Sequence, residues 1–87
     1  MPPWKLHLSQ SVLKDLRGLP KEVRGRAALS ILELASTPYP HAVQKVKGYE
    51  RTYRVRAGDY RIVYEVAGDE VAIIAVSHGK DVYRELK

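Results

Sequence analysis

Cysteine is absent from the 87 residues, which excludes both disulfide support and a thiolate metal site. No apolar stretch approaches the roughly 20 residues of a membrane-spanning helix, and the opening Met-Pro-Pro-Trp-Lys carries no apolar core of a secretion signal. A cytoplasmic protein without membrane association is therefore expected. Repeats, low-complexity tracts and linkers are missing too, so residues 1–87 read as a single domain. No acidic cluster is dense enough to hold catalytic metal ions in the usual way, and neither metal nor cofactor is expected.

What is present is an ordinary globular balance, 45% apolar and 29% charged, which argues against disorder. A chain of this size buries roughly 60% of its unfolded surface, enough for one compact core. The net charge of +5 is concentrated: between Lys45 and Arg61 six of the fifteen Lys and Arg residues face only Glu50 and Asp59. Within that segment, Arg51-Thr-Tyr-Arg-Val-Arg56 and Tyr60-Arg-Ile-Val-Tyr-Glu-Val66 alternate basic and apolar residues on either side of Ala-Gly-Asp, the pattern of a half-buried hairpin.

The remaining elements follow from periodicity and punctuation. Trp4-Lys-Leu-His-Leu8 alternates as a short strand, and Ser9 is placed to cap a helix from Gln10 to Gly18 with Val12, Leu13, Leu16 and Leu19 along one stripe. A second helix runs from Pro20 to about Ala35, with Val23, Ala27, Ala28, Ile31, Leu34 and Ala35 on its apolar side. Thr37-Pro-Tyr-Pro40 stops it. A meander follows, Thr52 to Ala57, Tyr60 to Val66 and, after a Gly68-Asp69 turn, Val71 to Val76. The last of these is apolar on both faces, so it belongs inside the sheet, and a short terminal helix from Gly79 is the expected cover for its second face. The fold class is thus α+β: an antiparallel β-sheet meander packed on two N-terminal helices, with a short C-terminal helix.

Register then defines a candidate site. With Tyr53, Val55, Ile62, Tyr64 and Val66 facing the core, Arg54, Arg56 and Arg61 share the opposite face, where Glu65 alone offsets them. His78 or Lys80, at the end of the last strand, and Tyr83 from the terminal helix are expected to join that face. Alternating arginines also suit a plain solvated strand face, but like charges on adjacent strands repel and are usually interspersed with carboxylates. Guanidinium groups bind phosphate oxygens in pairs, so the array suits a polyanion.

These residues carry a family resemblance. Lys45-Val-Lys-Gly48, Tyr53-Arg-Val-Arg56, Gly58-Asp-Tyr-Arg-Ile-Val-Tyr64 and Ser77-His-Gly-Lys-Asp-Val-Tyr83 stand in the order found in the RelE/ParE superfamily of toxins, over nearly the whole chain, and the pattern is closer to the RelE branch. The resemblance implies cleavage of mRNA in the ribosomal decoding site and silencing by a cognate antitoxin. It also assigns Arg61 to transition-state charge, Arg54 and Arg56 to substrate orientation or assisted proton transfer, and Tyr83 to a place against the nucleophile and the substrate base.

Metal-independent cleavage by 2′-hydroxyl attack, giving a 2′,3′-cyclic phosphate, needs a proton acceptor, a proton donor for the leaving 5′-oxygen and cations for the charge on phosphorus. Arginine does not lose its proton in proteins, so base catalysis passes to His78 or Tyr83, with His78 preferred for proton transfer because imidazole as a side-chain type exchanges protons near neutral pH. Lys45, Lys47, Lys80 and Arg84 complete the expected substrate contacts. Between Gly79-Lys80 and Val82-Tyr83 there is only Asp81, where RelE-branch members often insert residues including arginine. The alternative implied by the ParE branch is a DNA gyrase inhibitor that acts by protein binding without hydrolysis.

Overall fold

Alternation of exposed and half-buried side chains builds β1 (Lys5–Leu8). Ser9 ends it, its hydroxyl accepting the Val12 N–H at 3.1 Å and capping α1 (Gln10–Arg17). The Gly18 N–H closes that helix on the carbonyls of Lys14 and Asp15. Pro20 stands at the cap position before α2 (Lys21–Leu34), one residue outside the helix rather than in its first turn. From α2 the Arg24 guanidinium donates to the carbonyls of Arg17 and Leu19 at 3.2 and 3.3 Å, which satisfies the end of α1 and fixes the angle of the pair. In the computed structural model, which describes residues 4–41 and 43–78, the chain continues through β2 (Gln44–Lys45), β3 (Thr52–Ala57), β4 (Tyr60–Ala67) and β5 (Glu70–His78).

The strands form one sheet in the order β1-β5-β4-β3-β2. From β2 to β5 the pairing is antiparallel, as a meander requires, with Gly58 at φ +65° and Gly68 at φ +60° in the two-residue turns. The N-terminal strand departs from the expected antiparallel sheet. β1 pairs β5 in parallel, making the sheet mixed, because α1 and α2 carry the chain over one face from the β1 edge to the β2 edge and the meander then returns to β1.

Packing gathers on the helix-covered face. Val12, Leu19, Ala27, Ile31 and Leu34 meet Ile62, Tyr64, Val66, Val71, Ile73 and Val76 in one buried cluster, against which Tyr53, Val55 and Tyr60 pack. Ala28, read as part of the inner stripe, is exposed. Tyr64 is fully buried, and its hydroxyl donates to the Pro38 carbonyl at 2.7 Å, tying the 37–40 connection to the central strand. Its ring stacks on Tyr53 at 5.9 Å, and Tyr53 meets Tyr39 edge-on at 5.2 Å. The opposite face carries its own small buried pair, Val63 and Ala75. The terminal helix expected from Gly79 lies outside the described residues.

One irregularity governs everything beyond it. Tyr64 partners Ile73 and Val63 partners Ala75, so Ile74 is an extra residue on β5, a bulge. A strict period of two would put His78 on the face of Ala72, opposite Ile73; the bulge reverses the order beyond it. Val76 consequently turns inward, and Ser77 turns outward.

Candidate arginine face

Arg54, Arg56 and Arg61 are brought together by the β3–β4 hairpin. Arg56 and Arg61 are direct cross-strand partners, while Arg54 sits two residues along β3 opposite Val63. Together with Gln44 and Val55 they line a depression of about 220 Å³. Gln44, on β2 opposite Arg54, accepts a hydrogen bond from Arg54 Nε at 2.9 Å, which holds that guanidinium in place. Among the described residues neither Arg56 nor Arg61 forms an ion pair, and Glu65 lies at the far end of the hairpin opposite Thr52. Two guanidinium groups on facing positions without a carboxylate between them repel, and an anion seated across both relieves that repulsion.

Arg61 is half-buried where Arg56 is exposed. Its charge is therefore less screened by water, and it exerts the stronger field on a group bound in the depression. Ser77 is its partner across β5, and among the described residues the buried Ser77 hydroxyl has no hydrogen-bond partner.

His78 does not join this face. It partners Tyr60, whose ring it meets edge-on at 5.6 Å, and it shares a depression with Ser11, Lys14 and Asp15 beside α1. The expectation that His78 stands with the arginines is thereby corrected, and the bulge at Ile74 is the reason. Lys45 pairs with Tyr53, so it projects toward the helix-covered side at the sheet edge, and Lys47 is exposed in the β2–β3 connection just before Gly48 at φ +88°. Lys80, Tyr83 and Arg84 lie outside the described residues. Gln44 escaped the sequence reading because a two-residue strand has no period to detect.

A two-helix layer thus covers one face of a five-stranded sheet, and the cationic hairpin presents its arginines on the other. The family described as ParE toxin of type II toxin–antitoxin system, parDE, matches residues 6–83. Toxin RelE3 of Methanocaldococcus jannaschii is 35% identical over 83 residues, covering 91% of this chain and 94% of the relative. The mRNA interferase toxin RelE of Escherichia coli strain K12 is 30% identical over 86 residues, covering 92% and 90%. The archaeal RelE–RelB complex from Pyrococcus horikoshii OT3 contains a chain that superposes with a TM-score of 0.77 at 28% identity, covering 87% of this chain and 94% of that one. The chain belongs to the RelE/ParE superfamily and is a toxin of the RelE branch.

Proposed function

We propose that this toxin is a ribosome-dependent endoribonuclease that cuts mRNA in the cytoplasm and is held inactive by a cognate antitoxin. The observation that carries the reading is the pairing of Arg56 with Arg61 beside Arg54 in one depression. A phosphodiester seated there would be contacted by several guanidinium groups at once. As the ribose 2′-oxygen attacks phosphorus, the additional charge on the phosphoryl oxygens develops next to Arg61, whose position is fixed before the reaction starts. Arg54 and Arg56 hold the flanking backbone and restrict the 2′-oxygen to an in-line approach. The products on this scheme are a 2′,3′-cyclic phosphate and a free 5′-hydroxyl.

Because His78 is turned toward α1, we assign proton transfer to Tyr83. A cationic surface stabilises phenolate and moves the acidity of a tyrosine toward a useful range. The names of the relatives support the reading, since E. coli RelE is an mRNA interferase and the P. horikoshii relative is in complex with RelB. Primer extension on a ribosome-bound message tests it: cuts that vanish in Arg61→Ala are expected, and an intact message in the presence of folded wild-type toxin refutes it. The family match under the ParE description supports a second reading, inhibition of DNA gyrase, for which trapped gyrase–DNA complexes without RNA cleavage are the signature.

A further inference from the structure

Two cross-strand neighbours on the arginine face are each without a hydrogen bond among the described residues. Arg61 and Ser77 are direct partners on β4 and β5, so their side chains stand on the same face, in one row with Arg56 on β3. The Ser77 hydroxyl is buried and unpartnered, and the Arg61 guanidinium forms neither an ion pair nor a hydrogen bond. A serine at the end of a strand is ordinarily satisfied by water. A hydroxyl that is shielded from water and also unbonded lowers stability and calls for a reason.

The neighbouring row shows what such a pair can do. There Gln44 stands directly across from Arg54 and accepts from its Nε at 2.9 Å, so an acceptor on the adjoining strand holds the stem side of a guanidinium. Ser77 stands to Arg61 as Gln44 stands to Arg54. A serine oxygen lies close to its own backbone, whereas the outer N–H groups of an extended arginine lie far beyond it. The hydroxyl is therefore placed for the Nε–H, and not for an anion gripped by the outer N–H groups. We propose that Ser77 is a positioning residue: when an anion is seated across Arg56 and Arg61, its hydroxyl accepts from Arg61 Nε and fixes the plane of that guanidinium toward phosphorus. The inference deepens the cleavage reading above and rests on it. Folding of the hairpin places Arg61 without a ligand, and Ser77 sets the last rotation of its side chain. The strain of an unpaired hydroxyl in the free toxin is thereby relieved on binding.

The test measures phosphate binding and message cleavage on the same preparations of the full-length toxin. Inorganic phosphate is expected to raise the melting temperature of the wild type beyond the effect of chloride at equal ionic strength. Ser77→Ala should lose most of that rise, yet without phosphate it should melt no lower than the wild type, because an unsatisfied group has been removed. Single-turnover cleavage of a ribosome-bound message should fall about tenfold in Ser77→Ala, with affinity for the ribosome unchanged. Ser77→Thr keeps the hydroxyl and should keep both readouts; Ser77→Val has nearly the same shape without the hydroxyl and should lose both. That pair decides if Ser77→Ala fails to fold. In an Arg61→Gln background the alanine change should cause no further loss, since Ser77 acts through Arg61. Additive losses overturn the proposal, as does an equal phosphate response and equal cleavage in the Thr and Val variants. A wild type that leaves the message intact, although its phosphate response depends on the Ser77 hydroxyl, overturns instead the cleavage reading on which the proposal rests.

Discussion

Neutralising Arg61 should move stability and activity in opposite directions. Arg56 and Arg61 occupy facing positions on β3 and β4 and lack ion-pair partners among the described residues. Like charges directly opposite on a sheet destabilise by about 0.2–1 kcal/mol, and exposure of Arg56 places this pair near the middle of that range. Arg61→Gln removes one charge while keeping a long polar side chain. A gain of about 0.5 kcal/mol raises the melting temperature by roughly 2–4 °C in a domain of this size. The gain should shrink in high salt, because screening already weakens the repulsion. Cleavage should respond oppositely. If Arg61 acts on charge that appears only in the transition state, single-turnover cleavage of a ribosome-bound message falls about a hundredfold or more, near 2.7 kcal/mol, while affinity for the ribosome is retained. Scanning calorimetry at two salt concentrations and primer extension under saturating toxin measure the two arms. A lower melting temperature refutes the electrostatic account of the hairpin, and equal losses in cleavage and affinity reassign Arg61 to binding.

Three other outcomes follow from the placements. His78→Gln should leave the pH profile of cleavage unchanged, while Tyr83→Phe lowers the rate severely and removes a rise that continues above neutrality; an altered profile in His78→Gln would contradict its placement beside α1. Replacing Lys45 and Lys47 by Gln should weaken ribosome binding and flatten its logarithmic salt dependence by about one unit per lysine, with parallel salt plots as the adverse result. Burial, and secondarily the neighbouring Tyr39 and Tyr53, raise the Tyr64 pKa well above its ordinary value, so its stabilising contribution is complete below about pH 10 and is lost as pH rises beyond it. Tyr64→Phe should therefore lose about 1–3 kcal/mol at neutral pH, with the Pro38 carbonyl left unpaired, and the deficit should narrow in unfolding titrations above pH 10.

Legibility in the sequence ended at specific residues. The caps of α1, both glycine turns and the facing of Tyr53, Val55, Arg54, Arg56 and Arg61 were readable because each rests on a local rule of spacing or turn chemistry. Val71-Ala-Ile-Ile-Ala-Val76 was readable as an interior strand and unreadable in register. A segment apolar on both faces gives no contrast by which to see an extra residue, so the bulge at Ile74 and the turning of His78 toward Tyr60 left no trace in the pattern. Parallel pairing of β1 with β5 was hidden for a different reason: it depends on where the helices deliver the chain, which no window of sequence contains.

The division between the two sheet faces explains how so small a domain tolerates its site. Sixty per cent burial of the unfolded surface, roughly what this length allows, leaves little stability to spare. The helix-covered face concentrates the core and the Tyr64 hydrogen bond that anchors the 37–40 connection. Repulsion between Arg56 and Arg61 is thereby confined to a surface that, among the described residues, contributes only Val63 and Ala75 to buried packing. Because those arginines are attached to the same hairpin that places Ile62 and Tyr64 in the core, their geometry is set by folding itself and requires no ligand to assemble it. On the proposed cleavage reading, a surface built in this way is ready whenever it is exposed, and its control is expected to come from covering it, not from a rearrangement of the hairpin.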